Sequence, residues 1–520
     1  MSAQEYWRRI GPLDDILPST GVCALIDGRQ VAVFRMDDEV FAIDNYDPAS
    51  GANVLSRGIV GDLRGERVVA SPIYKHHYSL ATGRCVEDPA ISVSSYPAHV
   101  ADGHVWVNAF APAPKARRRR LAVVGNGMAG MRAVEELLAL APNTYEIAVF
   151  GAEPHGNYNR ILLSPVLAGE MCVDDIVLHP PQWYADNGVA LHAGDPVIEI
   201  DRHRRIVRSR AGVEWPYDRL LLATGSKPIV LPLPGMDLPG VVTFRDLADV
   251  TAMLDAARLY RKAVVIGGGL LGLEAANGLS RRGMDVTVVH LLDTLMERQL
   301  DASAAALLKS SLESRGLKFH MPAKTAAIVG ETRAAGVRFA DGSELAADLV
   351  VMAAGVRPNI DLARSAGLRC DRGILVDDTL QTFDPSIYAV GECVQHRNHT
   401  FGLVAPLWEQ ARVCATHLAE LGTARYAGTL PATQLKVAGI EVYSAGDFSG
   451  GGRTESIVMH DRRRGVYKRL LVRDNKLRGA VLYGDAKDGH RYLQLMTEGN
   501  DISALRDTLL FDPASVGSSQ

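Results

Sequence analysis

Two short glycine clusters carry most of the chemistry this sequence advertises. The first runs Gly125-Asn126-Gly127-Met128-Ala129-Gly130, the second Gly267-Gly268-Gly269-Leu270-Leu271-Gly272. Both have the G-x-G-x-x-G spacing. The first glycine permits a tight turn, the second lets backbone approach a pyrophosphate, and the third lets helix and strand pack closely. The helix that opens there turns its amide groups and the positive end of its dipole toward the anion. An acid past the next strand should bind a ribose hydroxyl, and Glu153 stands in that place. In the second unit His290 stands there instead. Neither Arg nor Lys directly follows it to neutralise a 2′-phosphate, so NADH is favoured and NADPH stays open.

The flanking segments suit that chemistry. LAVV and YEIAVFG read as strands around the helix MRAVEELLALA, and KAVVI and DVTVVHLL flank LEAANGLSRRG. The two units form an internal repeat, which suggests two dinucleotides, one resident and one visiting. Residues 1–110 read as mostly β, with short runs such as QVAVFRM and HVWVNAF between DG, SGAN and ATG turns. APAPKARRRR, residues 111–120, reads as a basic linker, with a docking patch as the alternative. From about residue 425, strand-like pieces and the helical stretches HRYLQLMTEG and ISALRDTLL make an α+β end domain.

Composition excludes several classes. The chain has 520 residues, 47% of them hydrophobic and 22% charged, as expected for folded domains and not for a disordered tail. A formal net charge of −4 offers no global positive field to nucleic acid or an anionic membrane. The six cysteines are scattered, and no pair forms a CxxC-type zinc, iron–sulfur or redox motif. Sparse cysteine suits a reducing cytoplasm. The start, MSAQEYWRRIGPLDD, has no apolar signal-peptide core. No window supplies the roughly 20 apolar residues of a membrane helix.

Residues 121–420 resemble the two-dinucleotide-binding flavoprotein reductases of the pyridine nucleotide–disulfide reductase superfamily. LLLATGSKP, with Thr224 and Gly225, resembles that family's second FAD contact, and VVMAAGVRPN resembles the return crossing. SIYAVGEC resembles the late flavin motif, which implies Gly391 and Glu392 at the ribityl chain. NYNRILLS resembles the segment over the flavin ring, with Arg160 as the contact, and Glu274 matches a position near the nicotinamide. An exposed helix glutamate is the plain alternative for Glu274. The family's disulfide branch needs CxxxxC in the first helix, and its peroxidase branch a Cys after NxxxLS. Neither is present, and Cys172 is read as a buried small hydrophobe, so electrons should leave the flavin for an external acceptor.

VVGNGMAG, EPHGNYNRILLS, VHLLDTLMERQLD, GLVAPLWEQA and LKVAGIEVYSAGDFSG are similar to the flavin half of assimilatory NAD(P)H nitrite reductase large subunits. The end segment resembles the small domain of rubredoxin and nitrite reductases. The resemblance implies an FAD domain over 121–240 and 350–424, an NAD domain over 241–349 and the end domain over 425–520. Those large subunits continue into cysteine-rich and sirohaem modules that have no counterpart here, so no sirohaem is expected.

Residues 1–110 resemble the Rieske-fold small subunit of the same reductases. A Rieske centre takes two Cys and two His from two loops. Aligning IDNYDPASGANVLSRG and ASPIYKHHYSLATGRC with those loops puts Asp47, Ala49, Ser71 and Tyr74 at the ligand positions, so no iron–sulfur cluster and no bound metal are expected. His76 and His77 are read as exposed polar residues, with metal binding as the alternative.

The combined expectation is an all-β Rieske-like domain, two Rossmann-like α/β domains and an α+β end domain. The expected activity is an FAD-dependent NAD(P)H oxidoreductase that delivers electrons to a separate redox partner in nitrite or nitrate assimilation, either a nitrite or nitrate reductase catalytic subunit or a small iron–sulfur carrier. A ferredoxin- or rubredoxin-type reductase of another pathway and a non-catalytic scaffold are the alternatives.

Overall fold

The computed structural model describes residues 7–88, 90–109, 118–422, 424–437 and 439–511. Most of the basic linker read at 111–120 lies outside them. The chain divides into two compact units, Met1–Arg118 and Arg119–Gln520.

The first unit is all-β. Thr20–Ile26, Arg29–Met36, Glu39–Asp44 and Ser95–Tyr96 form one antiparallel sheet, and Ile59–Leu63, Glu66–Ala70 and His77–Ser79 form another. Ala32, Phe34, Ile43, Leu55, Val69 and Tyr78 fill the core between them.

The second unit opens with β1 (Arg119–Val124), α1 (Met128–Leu140) and β2 (Tyr145–Phe150). These belong to a five-stranded parallel sheet ordered Val189–His192, β2, β1, Arg219–Leu222, Ile387–Ala389. Strand side chains alternate between faces. Leu121 and Val123 pack with Met131, Val134 and Leu137 of α1 on one face. Ala122 and Val124 pack with Phe150, Leu220 and Leu222 on the other. Burial on both faces is why this strand reads as an unbroken apolar run.

The repeat follows as β3 (Lys262–Ile266), α2 (Leu270–Arg281) and β4 (Asp285–Val289), in a second five-stranded parallel sheet with Val241–Thr243, Leu349–Met352 and Lys318–His320. Helix α3 (Ala302–Glu313) covers this layer and is capped by Asp301, whose carboxylate accepts from the Ala304 amide at 3.0 Å. A short antiparallel ribbon, Ser226–Pro228 with Val356–Pro358, links the two layers. Helix α4 (Val404–Leu418) packs against α1 through Leu407, Ala411, Cys414 and Leu418.

The end segment forms a five-stranded antiparallel sheet with β5 (Ala432–Val437) at one edge and Glu455–Asp461 at the other. Tyr467, Val481 and Tyr483 from this sheet share a core with Leu308 and Leu312 of α3. Gly489–Glu498 is helical as expected, but ISALRDTLL forms only the single 3-10 turn Ser503–Leu505. Its apolar residues Ile502, Leu509 and Leu510 are buried under the sheet without helical periodicity, so burial and not helix formation explains the run. No helix among the described residues is long and apolar enough to cross a membrane.

Candidate functional site

The glycines of the two clusters fall into two physical classes. Gly125 (φ +115°) and Gly267 (φ +130°) have backbone that favours glycine, and an added Cβ would stand 2.1 Å from the Ala223 carbonyl oxygen and 2.2 Å from that of Ala353. At Gly130 the same atom would meet Ala223 Cβ and the Gly125 oxygen at 2.8 Å, and at Gly272 the Gly267 oxygen at 1.9 Å. These four are fixed by the protein's own packing. Gly127 and Gly269 differ: a Cβ on either meets nothing within 4 Å. Their φ values of −88° and −81° suit any residue, so packing does not demand glycine there. Each is the N-cap of its helix, and neither helix takes a side-chain cap. Asp246 and Asp301, by contrast, cap Leu247–Leu259 and α3. Both glycine turns thus leave first-turn amides beside open space, the shape that admits a phosphate.

A cavity of about 380 Å³ lies beside the first turn. Gly127, Met128 and Ala129 form one wall, Arg160 and Ile161 another, and Gly225, Gly391 and Glu392 approach from the sheet edge. Leu270, Leu271 and Glu274 enter from α2, the helix that opens at the second glycine turn. Leu403, Val404 and Ala405 at the start of α4, Ala432, Thr433 and Gln434 of β5, and Arg245 also line it. Residues more than 300 positions apart thus meet around one space because three layers share it.

Polar side chains here are held in pairs. Arg160 binds Glu153, and also donates to Tyr158 Oη at 2.9 Å and to the Arg245 carbonyl at 3.2 Å. Tyr158 Oη donates to Glu153 at 2.7 Å. Glu392 pairs with Arg245 and accepts from Ser226 Oγ at 2.8 Å. Glu274 accepts from Ser164 Oγ at 2.6 Å. Burial pushes its carboxyl above the usual carboxylate range, and the Ser164 bond only partly offsets that. The Gly391 amide donates to Gln410 Oε1 at 2.8 Å.

Of the residues singled out in the sequence, Gly127, Arg160, Gly225, Glu274, Gly391 and Glu392 line this one cavity. Glu153 stands one contact behind Arg160. Thr224 faces elsewhere: its hydroxyl donates to the Asn359 carbonyl at 2.6 Å, and Asn359 Nδ2 returns a bond to the Thr224 carbonyl, which pins the crossing ribbon. His290 is buried, with Nδ1 accepting from the Gly268 amide at 3.1 Å. It braces the second turn. Arg245 and Ser164 were not singled out. Arg245 lies between Val241–Thr243, an edge strand of the second sheet, and an Asp-capped helix, with no spacing motif attached.

Two sequence expectations need correction. Cys172 is exposed, because the turn at 170–175 places it outside the core, and its amide donates to Asp175 at 2.8 Å. His76 and His77 are only half-exposed; His77 opens the strand His77–Ser79, where its Nδ1 contacts Glu87 at 2.5 Å. Among the described residues no group of three or more His, Cys, Asp or Glu is placed to hold a metal ion.

In the first unit, the positions compared above with Rieske ligands hold a carboxylate network. Asp47 is fully buried and accepts from Ser71 Oγ and Tyr78 Oη, each at 2.6 Å, from Ser50 Oγ at 2.8 Å and from the Ala49 amide at 3.1 Å. Burial raises its carboxyl's affinity for a proton, but the four bonds outweigh this and hold it below the ordinary value.

Two parallel nucleotide-type layers, a crossing ribbon and a cavity walled by the first glycine turn and by the helix that opens at the second define an oxidoreductase built for two dinucleotides. Residues 119–416 match the pyridine nucleotide-disulphide oxidoreductase family, and the chain belongs to it. It carries an FAD- and NAD(P)H-binding oxidoreductase domain. Residues 6–108 match the Rieske-like [2Fe-2S] domain, and 431–500 the rubredoxin NAD+ reductase C-terminal domain. An NAD(P)H nitrite reductase of Bacillus subtilis (strain 168) is 49% identical over 398 residues, covering 76% of this chain and 49% of that protein. The assimilatory nitrate reductase electron transfer subunit of the same organism is 47% identical over 401 residues, covering 77% and 52%. The chain therefore spans about half the length of these relatives. Among solved structures, the covalent putidaredoxin reductase–putidaredoxin complex superposes with a TM-score of 0.69 at 26% identity, over 74% of this chain and 94% of that one.

Proposed function

We propose that this chain takes hydride from NADH, with NADPH as an alternative donor, onto FAD and passes the electrons to a separate redox protein in nitrite or nitrate assimilation. The carrying observation is α2. It opens at the second glycine turn and delivers Leu270, Leu271 and Glu274 into the cavity walled by the first turn. A nicotinamide held at one turn and a flavin held at the other would meet there. When bound, the flavin accepts hydride and can release single electrons.

The residues have distinct tasks in this reading. Gly125, Gly127, Gly130, Gly225, Gly391 and Glu392 form the FAD site, with Thr224 and Glu153 supporting it, and Gly267, Gly269 and Gly272 form the NAD site. Thr224 acts by holding the ribbon and Glu153 by orienting Arg160. Arg160 places its guanidinium at the cavity wall. Glu274, held by Ser164 and pushed above the ordinary carboxylate value by burial, presents its carboxyl to the cavity from the NAD side. Hydride transfer needs positioning at about 3–3.5 Å and no general base, which suits a cavity without a nucleophile–base pair.

The likeness to a nitrite reductase and to a nitrate reductase electron transfer subunit supports the assimilatory role, and the likeness to a reductase joined to putidaredoxin supports a separate protein as acceptor. The match of residues 431–500 favours, as a second reading, a ferredoxin- or rubredoxin-type reductase of another pathway. We place the protein in the cytoplasm, on the strength of its scattered free thiols. We also propose that the first unit binds no iron–sulfur cluster, since Asp47, Ala49, Ser71 and Tyr74 offer neither thiolate nor imidazole. No sirohaem is proposed either.

An anaerobic absorption spectrum before and after one equivalent of NADH tests the reading. Flavin bands should bleach, and subtraction of the flavin should leave no visible absorption. A protein that cannot be reconstituted with FAD would refute it.

A further inference from the structure

The two loops of the first unit are tied together by one side chain. Asp47 lies in the first loop, where Ser50 and the Ala49 amide bond to it. Ser71 and Tyr78 reach it from the second loop and the strand after it. Asp47, Ser71 and Tyr78 are all fully buried. The four donors are uncharged, so the carboxylate is held by hydrogen bonds alone. Charge-assisted bonds of this kind are stronger than neutral ones, and each donor left without its acceptor carries a desolvation penalty. A second side chain closes the first loop on itself and ties it to the strand Arg29–Met36. Asn45 Oδ1 accepts from the Ser56 amide at 2.7 Å, and its Nδ2 donates to Gln30 Oε1 at 3.0 Å.

We propose that Asp47 is a carboxylate pin, which cross-links residues 45–58 to residues 70–80 at the place where a Rieske centre would tie its two loops with iron. The proposal rests on the reading that this unit carries no cluster. It goes further in assigning the missing cross-link to one residue and three side-chain partners. The pin reaches across a sequence gap of 24 to 31 residues. Its removal should therefore loosen both loops together, which loss of a local turn would not do.

The test is hydrogen exchange of the full-length holoprotein, read by mass spectrometry on peptides from 45–58 and 70–80, with iron and sulfide analysis of the same sample. Asp47→Ala should speed exchange about tenfold or more in both segments, while peptides from 119–422 and NADH-driven flavin bleaching stay unchanged. Faster exchange confined to 45–53 would reduce Asp47 to a local turn cap and overturn the proposal. If Asp47→Ala does not fold, Tyr78→Phe and Ser71→Ala serve instead. Each should loosen 45–53 across the gap, and no effect there from either would overturn it. Two irons and two sulfides per chain, with protection lost on chelation, would defeat the cluster-free reading itself. Absence of iron with both segments still protected in Asp47→Ala would defeat the pin alone.

Discussion

Substituting Gly127 and Gly269 separately should divide the two cofactor sites. A Cβ at either position meets no protein atom within 4 Å, and both φ values suit alanine. Gly127→Ala and Gly269→Ala should fold and lose no more than about 1 kcal/mol, the cost of alanine in place of glycine at an N-cap. The new methyl instead occupies space that a pyrophosphate needs for contact with backbone amides. Losing one charge-assisted hydrogen bond costs about 1.5–3 kcal/mol, which is about 10- to 150-fold in affinity. Gly127→Ala should release FAD in that proportion, measured by flavin fluorescence on titration of the apoprotein. Gly269→Ala should keep its flavin and raise only the NADH concentration needed for anaerobic bleaching. Gly272→Ala is the contrast: its Cβ would lie 1.9 Å from the Gly267 oxygen, so it should destabilise the fold itself. Gly127→Ala with full flavin affinity, or a Gly269→Ala that loses flavin and not NADH affinity, would refute the assignment of the turns.

Three further outcomes are expected. Glu274 has its folded carboxyl raised by burial, so its contribution to stability is complete at acid pH and is lost as pH rises through the folded value. Glu274→Gln should therefore melt higher than the parent at pH 8, with the gap closing toward pH 4; an equal gap at both would disprove the shift. Asp301→Ala removes the cap of α3 together with bonds from Tyr467 at 2.7 Å and Arg469 at 3.0 Å, and should cost about 2–4 kcal/mol in thermal or urea unfolding. Cys172→Ser should reduce its flavin with NADH at the parent rate in stopped flow, because the thiol is exposed and does not line the cavity; a tenfold loss would restore a cysteine-based route.

The elements around the clusters were legible because each local signal agreed with its neighbours. An apolar run buried on both faces, a glycine turn and a helical period name a strand–turn–helix unit almost without context. Positions with a family motif, such as Arg160 and Glu392, could be placed before any coordinates. Arg245 and Ser164 could not, since their importance lies in partners 147 and 110 residues away. The end of the chain misled for a different reason. Ile502, Leu509 and Leu510 are apolar because a sheet covers them, and burial alone does not distinguish a helix from an irregular strap.

Asp301 has a consequence for engineering. One carboxylate caps α3 in the second nucleotide layer and also receives Tyr467 and Arg469 from the end sheet, while Ser311 of α3 meets Tyr483 Oη at 2.6 Å. The same end sheet supplies β5 to the cavity wall. The end segment is therefore no detachable cassette. A chimaera that borrows it from another reductase to change acceptor choice must carry Asp301, Ser311 and their helix along with it, or the graft will arrive with its seam unsewn.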